Sequence, residues 1–576
     1  MIKQIRTDLR KCFEHLDYPV EEMFVSFSDR PDLCHYQSNS SFRLAKALRK
    51  KPLDIAASLA EEFNKVVDYA TAEAVAPGFL NISVNDFGFT QTLKDLHKDP
   101  RCGVDILENA PKIIIDYGGP NVAKPLHVGH MRSAVIGESM KRLARFLGCE
   151  VLGDIHLGDW GLQMGLVIAG LAEKYDLSDY FEGNKPEKPQ FTVDDLNLIY
   201  PEASARSKVD ADFEELAQQI TYKLQNKEKG YFDIWEDIVA VSIADIKADY
   251  EKLNVEFDLW YGESTCRDYV NPMIDNFTAL GLTEESDGAL IMDVTMPDDD
   301  KPMPPVMLRK SSGAHLYHST DLATIKQRME EYNPDEMWYF TDARQALHFE
   351  QVFRAARKTG LVKEKTKLAH YPFGTVNGKD GKPFKTREGG TMQLKDLISL
   401  VTEAAEKLLS DGAKSADKDA ARKVGVAALK YGDLMCNRTR NYIFDIDKFL
   451  QFDGKTGSYL LYTLVRIRSI FAKLGDSTDI DIEGVKVTSD LERNILLKME
   501  MLANAYHQTY EEKLPNYICD ALFELANSFN VFYGSCRIID EPDVQKRSTW
   551  IALCKITEKM LEQTLDVLGI ETVSAM

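Results

Sequence analysis

Three consecutive isoleucines, Ile113–Ile115, run into DYGGPNVAKPLHVGH (116–130), and that segment runs into Met131–Leu147, where Val135, Ile136, Met140, Leu143, Phe146 and Leu147 recur at helical spacing. A short apolar run reads as a buried strand, and the spacing of three and four that follows reads as a helix with one buried face. Strand, loop and helix in that order open a βαβ unit, which commits this part of the chain to a parallel sheet covered by helices. Such sheets bind ligands at the carboxyl ends of their strands. The helix start adds unbonded N–H groups and a positive dipole end, both suited to phosphate. His127 and His130 stand at that turn, and Lys124 adds a cation three residues before the first of them.

At 576 residues the chain is too long for a single core, and about three or four domains are expected. Residues 1–106 read as a small α/β unit, with a strand-like alternation over 77–84; Pro111 within the polar run 108–112 marks its end. Residues 107–372 read as the parallel-sheet domain, with a polar, mostly helical insertion near 173–230 and candidate strands at Ala289–Val294 and Glu336–Phe340. Residues 373–455 read as a Gly/Lys-rich loop and a helical junction, and 456–576 as a helical domain. The expected class is multidomain α/β.

Composition narrows the function. No apolar run reaches 18 residues and the first 19 residues lack a hydrophobic signal core, so a cytoplasmic protein without membrane spans is expected. The nine cysteines, at 12, 34, 102, 149, 266, 436, 519, 536 and 554, form no C-x-x-C pair. That spacing argues against structural zinc and against a disulfide framework. The net charge of −21 speaks against a general nucleic-acid binder, yet it leaves room for a local basic face. Arg43-Lys46-Arg49-Lys50-Lys51 and Arg466-Arg468-Lys473 are candidates, although on charge alone each is equally a solvated helix face.

Three groups of residues could carry chemistry. The H-x-x-H of His127 and His130 is too short for the i, i+4 pair of a zincin. Two imidazoles at a helix start can instead hydrogen-bond phosphate and stabilise charge that develops there; the plain alternative is two polar loop histidines. Gly374–Gly390 places Lys379, Lys382, Lys385 and Arg387 among five glycines, a backbone able to move and cations able to close on a polyphosphate, or else a solvated hairpin. No Walker A sequence occurs, since Phe449 stands where Gly454-Lys455-Thr456 would need its first glycine. Tyr317 and Asp321 share a helix face, as do Gln345 and His348. A carboxylate with such neighbours suits a guanidinium, which is planar and carries five N–H donors; an ordinary polar surface helix is the alternative.

Together these residues resemble the class I aminoacyl-tRNA synthetases, and within them the arginyl enzymes of bacterial type. His127-Val-Gly-His130 resembles the HIGH motif; GPNVAKPLHVGHMRSAVIG (119–137) and HLGDWGLQMG (156–165) extend the likeness. GKDGKPFKTREGGTMQLKDLI resembles a degenerate KMSKS, and DLMCNRTRNYIFDID (433–447) with the closing DVLGIETVSAM resembles the family's anticodon-binding domain. The resemblance covers essentially the whole chain. It implies a Rossmann-like catalytic domain, an N-terminal domain that binds the tRNA elbow, and an all-α anticodon-binding domain.

The resemblance implies arginine–tRNA ligation. Arginine and ATP give arginyl-adenylate and pyrophosphate, in a step that requires bound tRNA, and the arginyl group then passes to the 3′ end of tRNA(Arg). ATP with Mg2+ bound to it as substrate, arginine and tRNA(Arg) are the implied ligands, with no metal held by the protein and a monomer expected. Carried over by position, His127, Gly129 and His130 hold ATP with Lys382 and Lys385, and His348 lies toward the adenosine. Asp116, Asn121, Tyr317, Asp321 and Gln345 contact arginine. Phe79 and Asn81 contact a D-loop base; Tyr459, Tyr462 and Arg466 are anticodon candidates. The KMSKS-like run departs from the pattern in reading Phe384-Lys385-Thr386-Arg387. Arginine is no substitute for a compact ammonium at a crowded phosphate; in similar arginyl enzymes that lack the second lysine, a lysine just upstream of HIGH compensates, and this resemblance assigns Lys124 to the transition state beside the loop's Lys385. A cysteinyl-like synthetase, a shorter H-x-G-H nucleotidyltransferase and a non-catalytic RNA-binding paralogue are the alternatives. The first needs zinc ligands, the second lacks a helical tail of this length, and the third should have lost His127, His130 or Asp321.

Overall fold

The computed structural model describes residues 1–311, 316–378, 381, 392–410 and 417–576. Its organising element is a four-stranded parallel sheet. Strand β1, Lys112–Tyr117, carries the isoleucines and is buried along nearly its whole length. Helix α1, Val128–Phe146, follows and leads to β2, Glu150–Asp154, which pairs parallel to β1 with Ile115 opposite Gly153. The chain returns on the other side of β1 as β3, Glu336–Phe340, with Ile115 opposite Trp338; β4, Lys367–His370, then pairs parallel to β3. The order β4-β3-β1-β2 reverses direction between β1 and β3. A crevice opens at the carboxyl ends of such strands, which is where a ligand fits.

The insertion is helical, as its polarity suggests. It comprises Ser178–Glu182, α2 (Val193–Arg206), Ala211–Gln225 and α3 (Lys229–Lys252). The last of these runs well past residue 230 and packs back on the sheet domain, where the Tyr250 hydroxyl meets the Gly118 carbonyl.

The expected strand at Ala289–Val294 exists over Ala289–Met292 but joins a different sheet. It is the middle of an antiparallel three-stranded sheet with Glu284–Ser286 and Val306–Arg309. The cause is local: Asp287 and Gly288 both take positive φ, +50° and +76°, between the paired Ser286 and Ala289. That two-residue turn folds the strand onto its immediate neighbour. A separate apolar cluster forms beneath it, including Met292, Leu308, Phe277 and Leu322. From there the chain enters α4, Tyr317–Glu331, and, after β3, α5, Ala346–Lys358.

Residues 1–98 form a four-stranded antiparallel sheet, including Tyr36–Ser38 and Phe79–Val84, packed with four α-helices. The C-terminal part is built from helices, among them α6 (Lys418–Leu434), Gly457–Leu474, Asp490–Glu512, Asn516–Ser535 and Val544–Val567. The two ends of the chain touch. Arg493 pairs with Asp86 at 2.6 Å, Lys98 with Glu483 at 2.7 Å, and the Tyr36 hydroxyl donates to Glu500. Among the described residues no helix is long and apolar enough to cross a membrane.

Candidate active site

The two histidines build the start of α1. His127 is its N-cap: its Nδ1 accepts the Gly129 N–H at 3.0 Å, while the Nδ1 of His130 accepts the His127 N–H at 3.1 Å. Each ring therefore spends its Nδ1 as an acceptor, and a neutral ring then carries its proton on Nε2. The rings stack with centroids 3.9 Å apart. Burial pushes the His127 pKa down, helped by the charge of Lys124, and burial pushes that of His130 to about 3, helped by the charges of His127 and Lys124. Both are thus neutral N–H donors near pH 7. Gly129 has to be glycine, because a Cβ there would lie 2.8 Å from the His127 ring.

The strand end and the loop before α1 are pinned from several sides. The Val122 N–H donates to the Gly158 carbonyl at 3.0 Å, and a Cβ on Gly158 would strike the Asn121 amide. Ala123 is buried with φ +57°, and its N–H donates to Ser242 Oγ on α3 at 3.0 Å. Lys124 Nζ lies 4.5 Å from the ring centre of Tyr200 on α2. On the far side, Leu126 and Val128 bond to Leu394 and Met392, so residues 392–394 lie against His127. Lys379, Lys382, Lys385 and Arg387 lie outside the described residues. The two ends of their segment are nonetheless placed: one at His127, the other at Gly374, whose carbonyl accepts from Arg132 of α1 at 2.6 Å.

Asp116, expected to face arginine, is already engaged. Arg328 of α4, fully buried, donates to Asp116 at 2.6 Å and to Asp154 at 2.5 Å. With His156 these carboxylates have the spacing of a cation site. The Arg328 guanidinium sits on both of them and supplies the positive charge itself, so the donor set does not fit a resident metal.

Tyr317 and Asp321 open α4, one turn apart. Asp321 bonds His348 of α5 at 2.5 Å, and Gln345 stands exposed in the turn Ala343–Gln345 just before α5. His348, expected near adenosine, is thereby bound to the carboxylate expected to read the guanidinium. The sequence reading missed Glu263. Its carboxyl is pushed up to about 8, first by burial and then by the charges of Asp321 and Asp159. Asp159 is held by the Ser264 N–H and hydroxyl at 2.9 and 2.5 Å. Glu263 and Tyr200 also raise the Tyr317 pKa, after burial. Two contacts are thus fixed here, Lys124 with Tyr200 and Asp321 with His348, and Glu263 lies within electrostatic reach of Asp321. The signal for Glu263 in the sequence was faint: one acid after Tyr261-Gly262.

Two other faces carry aromatic and polar groups. Phe79 meets Phe42 edge to face at 5.0 Å, and Asn81 accepts from the Gln37 amide at 2.9 Å. In the C-terminal helices the Arg466 guanidinium lies 4.7 Å from the Tyr462 ring and 4.9 Å from that of Tyr533, and it bonds Asn530. Asn530 also donates to the Tyr459 hydroxyl at 2.9 Å.

Three family models match the chain: "tRNA synthetases class I (R), catalytic domain" over 94–446, "DALR anticodon binding domain" over 460–576 and "Arginyl tRNA synthetase N terminal domain" over 1–84. An arginine–tRNA ligase of Alkaliphilus oremlandii is 45% identical, with all of both chains covered. One from Hyphomonas neptunium is 43% identical over 99% of this chain and 98% of its own. The arginyl-tRNA synthetase structure from Plasmodium falciparum superposes with a TM-score of 0.83 at 25% identity, covering 100% of this chain and 99% of that one. The Thermus thermophilus enzyme shares the fold, with a TM-score of 0.80 at 20% identity and both chains fully covered.

Proposed function

The chain belongs to the class I arginyl-tRNA synthetases, and from that premise we propose how its residues divide the work. The protein is an arginine–tRNA ligase. An oxygen of the arginine carboxylate attacks the α-phosphorus of ATP, the bond to the bridging oxygen breaks, and pyrophosphate leaves. A hydroxyl of the terminal ribose of tRNA(Arg) then attacks the carbonyl carbon of arginyl-adenylate, and AMP leaves. Neither displacement needs a strong base. The first needs in-line positioning at phosphorus; the second needs the hydroxyl placed over the carbonyl face, its proton passing to the departing phosphate; both need stabilised charge on phosphate oxygens.

The Nε2–H groups of His127 and His130 donate to the ATP phosphates, and Gly129 leaves room for the nucleotide. Lys124 places its ammonium where charge grows on the departing pyrophosphate, and Lys382 and Lys385 add positive charge to the same phosphates. Mg2+ carried on the triphosphate would neutralise further charge there. Asp321 and Glu263 receive the guanidinium, with Tyr317 and Gln345 supplying polar groups and His348 orienting Asp321. Asn121 meets the amino-acid end; Asp116, locked to Arg328, contributes field and shape more than a free carboxylate. Phe79 and Asn81 contact the tRNA elbow, and Tyr459, Tyr462 and Arg466, now with Tyr533, the anticodon. The observation that carries this division is the capped histidine pair at the start of α1, which presents two Nε2–H donors.

The test is pyrophosphate exchange with each amino acid, with and without total tRNA. Exchange is expected with arginine alone and only when tRNA is present; arginine-dependent exchange without tRNA contradicts the tRNA requirement. Lys124→Ala should lower kcat far more than it raises the arginine KM, and a change confined to KM refutes its role. Asp321→Asn leaves a buried donor set poorly matched, which costs roughly 2–5 kcal/mol and raises the arginine KM about 30-fold or more. Unchanged kinetics would remove Asp321 from the pocket.

A further inference from the structure

We propose that Tyr200 is a positioning residue for the activation step: its ring, brought in by the helical insertion, holds the Lys124 ammonium at the phosphate site without neutralising it. This rests on the reading of Lys124 given above. The ammonium lies 4.5 Å from the ring centre, and among the described residues no carboxylate pairs with it. That choice of partner has a consequence. Lys141, on the same helix as the histidines, is tied to Glu138 at 2.9 Å; a lysine so paired presents little net field and must break an ion pair before it can meet phosphate. An aromatic face attracts a cation through its quadrupole while carrying no charge. The lysine is kept out of solvent disorder, its charge stays available, and the contact is weak enough to be surrendered when phosphate arrives.

The insertion supports Lys124 a second time. The preceding residue, Ala123, is buried in the left-handed region at φ +57°, a conformation that a residue with a Cβ adopts only when its surroundings impose it. Ser242 of α3 imposes it by accepting the Ala123 N–H. So α3 fixes the backbone beneath Lys124 and α2 fixes its side chain. The segment that reads as a polar appendage in sequence is thus a wall of the active site.

The experiment is a double-mutant cycle on the full-length enzyme, read as kcat and KM of tRNA-dependent arginine exchange. Tyr200→Leu is expected to lower kcat about 3- to 20-fold, with the arginine KM changed less than about twofold. Tyr200→Phe, which keeps the ring face, should restore most of the rate. In a Lys124→Ala background Tyr200→Leu should add no further loss. An equal loss in both backgrounds means that packing, not the contact with Lys124, was removed, and it overturns the proposal. So does a silent Tyr200→Leu in an enzyme that Lys124→Ala cripples. If Lys124→Ala itself leaves kcat unchanged, the earlier reading of Lys124 fails and this inference goes with it, a pattern distinct from the other two.

Discussion

His127 and His130 are useful because they do not titrate where histidines usually do. Their Nδ1 atoms are committed to backbone N–H groups, and burial keeps the rings uncharged. Both rings are neutral at pH 7 and above, so kcat at saturating substrates should be flat between about pH 7 and 8 as far as they are concerned. Glu263 behaves oppositely. With its carboxyl pushed up to about 8, it is mostly protonated in the free enzyme at pH 7 and becomes an acceptor for a guanidinium as pH rises. Bound arginine pulls that proton off, so the dependence belongs to kcat/KM, which reports the free enzyme, and not to kcat. For arginine, kcat/KM should therefore climb from about pH 6.5 to 8.5, and Glu263→Gln should lower and flatten that climb. A parallel profile in the variant would take Glu263 out of the pocket. The histidines and Lys124 were legible in the sequence because their chemistry is contiguous, seven residues at the mouth of a helix. Glu263 was not, because its shift comes first from burial in the folded chain and then from Asp321 and Asp159, fifty-eight positions after it and about a hundred before it.

At the scale of elements, α1 is a strut as well as a binding turn. Two residues after His130, the Arg132 guanidinium is buried and donates to the carbonyls of Gly374 at 2.6 Å and Arg440 at 2.9 Å, with Asp433 of α6 3.3 Å away. Gly374 has no room for a side chain, since a Cβ would lie 2.6 Å from Arg440. The stem of the Lys-rich segment and the start of the helical region are thereby hung on the helix that His127 caps. Asp433 is wholly buried, and burial raises its pKa against the pull of Arg132. Arg132→Met should thus cost about 3–5 kcal/mol by stranding a buried carboxylate, read as a lower urea midpoint. Arg132→Met with Asp433→Leu should recover much of that loss; if it does not, the stranded charge is not the cause. This contact could not be read from sequence, because its partners lie about 240 and 300 residues from Arg132, in segments whose motifs say nothing of what they touch. The strand at 289–292 taught a related lesson. Its apolar run was correct, but an apolar run does not say which neighbour it pairs with; the Asp287-Gly288 turn does, and that dipeptide was in plain view.

For the whole molecule the governing fact is charge. A net −21 repels a polyanion at long range, so tRNA must be held by local faces of suitable chemistry. The N-terminal unit is braced against the C-terminal helices by Arg493–Asp86 and Lys98–Glu483, so the faces at Phe79 and at Arg466 belong to one continuous body, although they share no partner. A base stacked on Phe79 contributes through its π-face, and losing it costs about 1–3 kcal/mol. Phe79→Ala should raise the tRNA KM about 5- to 100-fold while leaving the arginine KM nearly unchanged, and it should leave the salt dependence of the tRNA KM as it was, because no charge is removed. Arg466→Ala should also raise the tRNA KM. Since Tyr462 and Tyr533 hold this guanidinium as a plate and Asn530 orients it, its loss should resemble that of a shaped base contact, with little change in salt slope; a slope reduced by about one unit would identify it as a phosphate contact instead. With no shared partner, the two losses should multiply in the double variant. A double variant no worse than the poorer single one would mean that both residues serve the same contact, and an arginine KM that rises in step with the tRNA KM would mean that neither face is a tRNA site.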